Sequence, residues 1–206
     1  MNAATPSEAD PSADRVLTET RAWLERAVIG LNLCPFARAV HAKQRIRWVV
    51  CEARDTDALL AALCDELDRL AAADPEAVDT TLLIHPRVLG DFDDYLGFLD
   101  VAEAALAQLG HEGVLQVASF HPDYRFADAE PADIANATNR SPWPMLHLLR
   151  EASIDRAVAA FPAPETIYEA NIATLRRLGP EGWAALRAAC RREAENVAPP
   201  PRSGGD

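Results

Sequence analysis

The amino-acid sequence predicts an α/β fold built on a small, mostly parallel three-stranded sheet. Three short apolar runs, at 46–52, 80–85 and 114–121, are separated by two segments whose apolar residues recur at helical spacing. The runs are continuous rather than alternating, which is typical of a parallel sheet covered on both faces. Right-handed βαβ crossovers then place all three carboxyl ends at one edge of the sheet.

The amino-terminal half supplies the helices that accompany these strands. A first helix is expected from about residue 14 to 29, because its apolar residues form one stripe and Gly30 follows as a C-terminal stop. Asp55 and Asp91 precede the two crossover helices, where carboxylates cap unpaired N–H groups. The acidic residues Asp91, Asp93 and Asp94 are therefore interpreted as the start of a helix, and a divalent ion shared with His85 stays open as the alternative.

The carboxyl-terminal third is expected to be helical and to pack on the sheet, because three strands alone leave apolar surface uncovered. Residues 122–142 form a long polar loop, a kind of segment that often covers a binding site. Ser141-Pro142 has the usual order of a cap followed by a first-turn proline, which predicts a helix from that point. Further helices are expected from Ser153 to Phe161, from Pro164 to Gly179, and from Pro180 onward.

Composition and charge indicate one domain and restrict its partners. A chain of 206 residues suits a single α/β domain, which we place at 13–196. Residues 1–12 and 197–206 are polar or rich in proline and glycine, so both are predicted to be disordered tails. The net charge of −12 argues against nucleic acid and membrane surfaces as partners, whereas a local basic cluster would still bind a small anion. The sequence indicates no particular protein partner.

Several common enzyme classes are excluded by missing motifs. The chain has no Gly-x-Gly-x-x-Gly, Gly-x-Ser-x-Gly or His-Glu-x-x-His motif, and a Gly-rich phosphate loop with its lysine is absent because Lys43 is the only lysine. Its four cysteines form no Cys-x-x-Cys pair. We expect a cytoplasmic protein with reduced thiols, since no secretory leader and no apolar run of ~20 residues is found. The sequence names no cofactor.

Two of the predicted strands end in the same dipeptide, His85-Pro86 and His121-Pro122. Proline lacks an N–H and favours an extended residue before it, so each histidine is expected to end its strand. With Glu52 they would lie at the carboxyl rim, where open α/β sheets bind ligands. One histidine would act as general base and the other as donor, or all three residues would bind a metal. In the structural alternative, each imidazole bonds to a backbone carbonyl of the next loop.

A second group of candidate ligand-binding residues lies in and after the long loop. Arg140 precedes a predicted helix N-terminus, a combination that suits a carboxylate or phosphate. Asn139, His147 and Arg150 accompany it, and the alternative for His147 is a surface pair with Glu151 beside an apolar stripe. Cys34 lies in a loop before a proline, where a thiol would be accessible. A nucleophilic role would require a basic neighbour, and a buried, inert thiol is the alternative.

Three blocks of the sequence carry a family resemblance: Leu33-Cys34-Pro35-Phe36-Ala37, Phe120-His121-Pro122, and Asn139-Arg140-Ser141-Pro142-Trp143-Pro144 followed by His147-Leu148-Leu149-Arg150-Glu151. They resemble the signature blocks of a bacterial family catalogued as domain of unknown function 1415. The resemblance extends from about residue 14 to residue 180, and the Asn-Arg-Ser-Pro block is its most specific part. It implies a single coherent domain and transfers no catalytic role.

These observations favour a cytoplasmic enzyme that acts on a small anionic molecule at the carboxyl rim of the strands. His85 or His121 would serve as the acid or base, and Arg140 would hold the anionic group beneath loop 122–142. Two alternatives stay open. One is a non-catalytic binding or scaffold domain, in which the same residues tie the loop to the sheet. The other is a metal-binding protein with a histidine and carboxylate site.

Overall fold

The computed structural model describes residues 10–160, 163 and 166–196, and in this part of the chain helices surround one sheet. The predicted tails lie outside the described residues except for residues 10–12, and so do Phe161 and Pro164, where helices were predicted to end and to begin. The sheet has the spatial order β1-β2-β4-β3. Its strands are β1 (Ile46–Val50), β2 (Thr80–Ile84), β3 (Leu115–Phe120) and β4 (Met145–Arg150).

The helices follow the predicted apolar stripes for most of the chain. They are α1 (Ala13–Trp23) with a π-helical continuation (Leu24–Ile29), α2 (Ala37–Ala42), α3 (Thr56–Ala72), α4 (Phe92–Gln108), a 3₁₀ turn (Ile134–Thr138), α5 (Glu151–Ala159) and α6 (Ile167–Glu195). The predicted stop at Gly179 is confirmed, because α6 is broken there by a residue with φ 71° and ψ 170°. None of the helices in the described ranges is both long and apolar enough to cross a bilayer.

Both predicted crossover-helix caps are confirmed. The carboxylate of Asp55 accepts a hydrogen bond from the N–H of Ala58, and that of Asp91 accepts from the N–H groups of Asp93 and Asp94. These bonds satisfy N–H groups that have no partner within the first turn of a helix. The acids after Asp91 thus belong to the beginning of α4.

The prediction of three strands is wrong, because a fourth strand forms where a helix was expected after Ser141-Pro142. β4 lies between β2 and β3 and runs antiparallel to both. The helix was inferred from the three-residue spacing of Trp143, Leu146 and Leu149. The run from 145 to 149 is also nearly continuous in apolar residues. A strand is favoured here because it buries apolar side chains on both faces and because both of its backbone edges pair with neighbouring strands.

Insertion of β4 leaves the three predicted strands pointing the same way. β1 and β2 are parallel, and β3 shares their direction because β4 is antiparallel to both of its neighbours. The carboxyl ends of β1, β2 and β3 therefore meet at one rim, as the sequence predicts. The sheet itself is mixed rather than mostly parallel.

The two faces of the sheet are covered differently. One face packs against α3 and α4 in a core that includes Leu63, Tyr95, Leu83 and Leu146. Near the carboxyl rim, the other face packs against α1 with its π-helical continuation and against α6, in a second core. Towards the amino ends of β1, β2 and β3, the second face borders a cleft.

Gly30 shapes the π-helical segment that forms one wall of this cleft. A Cβ atom at Gly30 would overlap the backbone oxygen of Arg26, so only glycine fits at this position. Leu24 and Val28 from the same segment line the cleft. Single π-helical turns within α-helices are frequent at functional sites. The geometry of this wall therefore depends on the absence of a side chain at residue 30.

Replacement of Gly30 should destabilise the protein. We expect Gly30→Ala to lower the free energy of unfolding by about 1–3 kcal/mol, because the helix must shift to relieve the contact with Arg26. Gly97→Ala is the matched control: Gly97 is exposed within α4, a Cβ there meets nothing within 4 Å, and alanine should stabilise the helix by about 0.5–1 kcal/mol. Urea unfolding measures both, and a Gly30→Ala variant as stable as the parent would contradict this description.

Candidate functional site

The two strand-end histidines meet around Tyr95 in the interior. Their ring centroids lie 5.9 Å (His85) and 5.0 Å (His121) from that of Tyr95, and both histidines are fully buried. His85 Nδ1 donates to the carbonyl of Val88 at 3.0 Å, and His121 Nε2 donates to that of Leu89 at 3.1 Å. The bond of His85 is the one expected in the structural alternative, whereas His121 bonds to the loop after β2 rather than to the loop that follows it in sequence. Both rings thus bind the loop that follows β2.

Burial keeps this cluster neutral. It lowers the pKa of His85 from 6.5 to about 4, lowers the pKa of His121 as well, and raises the pKa of Tyr95. The Tyr95 hydroxyl donates to the carbonyl of Met145 at 2.9 Å and accepts from the N–H of Phe120 at 3.0 Å. The hydroxyl thus links α4 to β3 and β4. Neither histidine lines the cleft on the second face of the sheet. A catalytic role for them therefore stays a prediction, and that cleft gives a solute no access to them.

The metal site suggested for the rim is not assembled. The carboxylate of Glu52, its third proposed ligand, forms an ion pair with Arg87. No three histidine, cysteine, aspartate or glutamate side chains are grouped to hold a metal ion anywhere in the described ranges. Structural contacts therefore engage Glu52, both ring nitrogens of His121 and Nδ1 of His85, whereas Nε2 of His85 is buried without a hydrogen-bond partner among the described residues.

Asn139 and Arg140 anchor the long loop. The guanidinium of Arg140 donates to the carbonyls of Tyr124 at 3.1 Å and Pro131 at 2.9 Å, and its own carbonyl accepts from Trp23 Nε1 at 3.0 Å. Asn139 Nδ2 donates to a β3 carbonyl at 3.2 Å. Arg140 thus joins two parts of its own loop to each other and to α1, which engages two of the five N–H donors of its guanidinium.

Arg150, a third predicted ligand-binding residue, serves the end of α3. Its buried guanidinium donates to the carbonyls of Leu70, Ala73 and Val78. The last carbonyls of a helix lack partners within the helix and carry partial negative charge, which a cation stabilises. Arg150 also lines the cleft on the second face of the sheet, but its guanidinium is hydrogen-bonded to backbone carbonyls.

A cleft of about 840 Å³ opens on the second face of the sheet. Its volume lies within the range of roughly 300–1,000 Å³ typical of small-molecule sites. We call it the sheet-face cleft. The floor consists of alternate residues of three strands, and the walls come from α1 with its π-helical segment, from residues 34–36 with α2, and from α5. The floor residues are Thr80, Leu82, Gln116, Ala118, Phe120, His147 and Leu149.

The strand register orders the cleft from an apolar end to a polar end. His147 is paired with Leu82 on one side and with Ala118 on the other, at the middle of the floor. The apolar end is closed by Trp23, whose ring packs edge-on against Phe120 with centroids 5.5 Å apart. At the opposite, polar end the lining includes Lys43, Arg45, Glu76, Asp79, Ser153 and Arg156.

The polar end has a local excess of positive charge. Arg45 pairs with Glu76, and Ser153 receives a hydrogen bond from Arg156 and donates one to Asp79. Lys43 has no ion-pair partner within the described part of the chain. Four basic side chains (Lys43, Arg45, Arg150 and Arg156) and two acidic ones (Glu76 and Asp79) give this end a formal charge of +2 in a chain whose net charge is −12. An anion is therefore favoured here relative to the average surface.

His147 presents a hydrogen-bond acceptor to the middle of the cleft. The Thr80 hydroxyl donates its single hydrogen to the carbonyl of Leu148 at 2.6 Å, so it accepts a hydrogen bond from His147 Nε2 at 2.7 Å. Burial lowers the pKa of His147 from 6.5 to about 4, which leaves the ring neutral at pH 7. Nδ1 then carries a lone pair, has no partner among the described residues, and is not fully buried.

The structure divides the predicted site residues between two places. His147 and Cys34 line the same cleft, whereas His85, His121, Asn139 and Arg140 lie outside it. Sequence reasoning missed Thr80, Lys43 and Ala118, because their shared location depends on the pairing of β4 with β2 and β3. The available signal was the nearly continuous apolar run at 145–149, because in a strand every second side chain lies on the same face.

Removal of the Arg140 side chain should cost stability. We expect Arg140→Ala to lower the free energy of unfolding by about 1–3 kcal/mol, because two loop carbonyls lose their donor. Arg125→Ala, in the same loop, removes an exposed ion pair with Asp93 and should cost about 1 kcal/mol or less. Urea unfolding compares the two. An Arg140→Ala variant that unfolds like the parent but loses binding of a small anion would instead restore the predicted ligand-binding role.

The buried histidines should make the protein less stable in acid. The pKa values of His85 and His147 fall from 6.5 to about 4 on folding, so between these two pH values the unfolded chain binds more protons than the folded one. Their contribution is complete above pH 6.5 and is lost as the pH falls towards 4, by at most on the order of 3 kcal/mol for each histidine.

Urea unfolding across this pH range checks the prediction in His85→Asn and His147→Gln, which retain an amide N–H in place of the donating ring nitrogen. Each substitution should reduce the slope of stability against pH, and the double variant should reduce it most. Gly97→Ala, which adds no titratable group, should shift stability equally at every pH. An unchanged slope in the double variant would contradict the assignment.

Comparison with known proteins identifies the family of the chain. No curated protein and no solved structure matches it. Residues 15–185 match the family described as "Protein of unknown function (DUF1415)". The match covers most of the chain and confirms the resemblance carried by the three sequence blocks. This chain therefore belongs to the DUF1415 family.

Proposed function

We propose that this protein binds a small amphipathic anion in the sheet-face cleft. The anionic group would lie at the polar end, near Lys43 and Arg156, and the apolar body would lie on the floor formed by Leu82, Ala118 and Phe120. One observation carries the proposal: a single cleft of ligand size passes from an apolar end through a neutral histidine to a positively charged end.

The apolar end supports an organic ligand rather than an inorganic ion. Trp23, Leu24, Val28 and Phe120 offer a continuous apolar wall, and burial of apolar ligand surface there would stabilise a complex by roughly 25 cal/mol per Å² before the cost of association is subtracted. An inorganic anion would leave this wall in contact with water. The ligand is therefore expected to fill both ends.

The polar end supports an anion rather than a cation. Lys43, the only lysine of the chain, has no ion-pair partner among the described residues, and Arg156 bonds to a neutral hydroxyl rather than directly to a carboxylate. A carboxylate, sulfonate or phosphate would pair with either cation. The acidic groups of this end are occupied, Glu76 by Arg45 and Asp79 by Ser153.

The histidine chemistry predicted from the sequence is proposed here for His147 rather than for His85 or His121. His147 is the candidate histidine that lines a cavity large enough for a ligand. With a pKa of about 4 it is a weak general base near neutral pH, because an efficient base has a pKa close to the working pH. The geometry thus supports a binding role for His147 more strongly than proton abstraction.

Paired fluorescent probes test the proposal. We expect 8-anilinonaphthalene-1-sulfonate, an aromatic anion, to bind more tightly than its uncharged analogue N-phenyl-1-naphthylamine. The double substitution Lys43→Gln with Arg156→Gln should weaken binding of the sulfonate by about threefold to tenfold and leave binding of the uncharged probe unchanged. Ala118→Phe, which places a large side chain on the floor, should weaken binding of both probes. Probe fluorescence titrations provide the dissociation constants.

Arg177→Gln is the matched control, because Arg177 is an exposed arginine of α6 that does not line the cleft. Near-UV circular dichroism establishes that each variant keeps its packed core, since loosely packed proteins also bind the sulfonate. The proposal fails if Ala118→Phe binds both probes like the parent. It also fails if Arg177→Gln weakens binding of the sulfonate as much as the two cleft substitutions do.

A further inference from the structure

We infer that the ligand of the sheet-face cleft carries a hydrogen-bond donor, a hydroxyl or N–H group, that bonds to Nδ1 of His147, and that Thr80 is the positioning residue that fixes this preference. The inference rests on the proposed binding function and deepens it. It identifies the ligand class as an amphipathic acid with a donor group along its apolar body.

The lone pair of His147 faces the cleft because of the direction of one hydroxyl hydrogen. Thr80 directs its hydrogen to the carbonyl of Leu148 at 2.6 Å, so its oxygen offers only lone pairs to the imidazole. His147 must place its ring hydrogen on Nε2 to use the 2.7 Å contact with Thr80. In a neutral ring the other nitrogen, Nδ1, is then an obligatory acceptor.

The backbone reinforces this arrangement. Thr80 and Leu149 are register partners on neighbouring antiparallel strands, and His147 and Leu82 form the next pair on the same face. The carbonyl that receives the Thr80 hydrogen belongs to β4 itself, directly after His147. The hydroxyl and the imidazole are thus held by one rigid strand pair rather than by a flexible loop.

A ligand without a donor at this point would bind less well. It would cover Nδ1 of His147 and remove it from water without replacing the lost hydrogen bond, and a site built to receive a donor discriminates against analogues that lack it. A ligand with a donor keeps the bond. We expect a discrimination of about tenfold, the effect of one neutral hydrogen bond to a partly buried group.

The register also gives the spacing between the donor and the anionic group. The row containing His147 lies two residues from the row containing Thr80 and Leu149, a separation of roughly 7 Å along the strand. The cations of the polar end lie beyond that second row. In an extended carboxylic acid, the donor would therefore be five or more bonds from the carboxylate, which describes a medium-chain acid hydroxylated in its distal half.

Displacement of 8-anilinonaphthalene-1-sulfonate by a series of acids tests the inference on the full-length protein. The series consists of decanoate and the decanoates with one hydroxyl at carbons 5 to 10. At least one hydroxylated isomer should bind about tenfold more tightly than decanoate. Thr80→Val should reduce the ratio between the affinities for the hydroxylated isomer and for decanoate, because part of the His147 rings would then carry their hydrogen on Nδ1. Thr80→Ser, which keeps the hydroxyl, should retain the ratio.

The ring nitrogens of His147 provide a second readout that a merely structural role for Thr80 would not produce. In ¹⁵N spectra of histidine-labelled protein, the parent and Thr80→Ser should show the Nε2-protonated ring, and Thr80→Val should show a mixture of the two neutral forms. His147 resonances are assigned by comparison with His147→Gln.

The outcomes separate the inference from the function on which it rests. If decanoate displaces the probe and no hydroxylated isomer binds more tightly, or if the parent ring is protonated on Nδ1, the inference is overturned and the binding function stands. If no acid of the series displaces the probe from the parent, both are overturned. If Thr80→Val retains the full advantage of the hydroxylated isomer, the positioning role of Thr80 is refuted, whereas the preference of His147 for a donor stands.

Discussion

The pairing of β4 with both β2 and β3 is the constraint on which the rest of the structure depends. It satisfies the backbone of three strands at once and divides one apolar run between two faces, with Leu146 and Leu148 in the core beneath α3 and α4. The alternate residue His147 is thereby placed between Leu82 and Ala118 on the opposite face. Without this strand, neither the floor of the sheet-face cleft nor the contact between His147 and Thr80 would exist.

Buried polar side chains at the ends of the sheet stabilise loops and helix termini. His85, His121, Arg140 and Arg150 each donate to backbone carbonyls, and Tyr95 joins α4 to the neighbouring strands. Carbonyls at loop corners and helix ends need donors when they are removed from water, and long or ring-bearing side chains reach them. Titratable residues at a strand rim can thus serve the fold, and the binding site that we propose lies on the less covered face of the sheet.

The parts of this protein that depend on local sequence were predictable, and those that depend on strand pairing were not. Asp55 and Asp91 as caps, the break at Gly179 and the shared rim of β1, β2 and β3 follow from short-range chemistry and the handedness of crossovers. The sequence around β4 fits both the three-residue spacing of a helix and the continuous apolar run of a strand. The strand forms because β2 and β3 each offer an unpaired backbone edge to it, which the local sequence does not reveal. His147 was identified as a candidate from its residue type, whereas Thr80 and Lys43 became visible only through the register.

We propose that ligands bind on the sheet face and not at the histidine rim. An NMR titration of the isotope-labelled full-length protein with decanoate tests this binding site, with chemical-shift changes followed at each assigned residue. We expect the largest changes at Leu82, Ala118 and His147, with smaller ones at Lys43. Largest changes at His85 and His121, or small changes spread evenly over the surface, would contradict it.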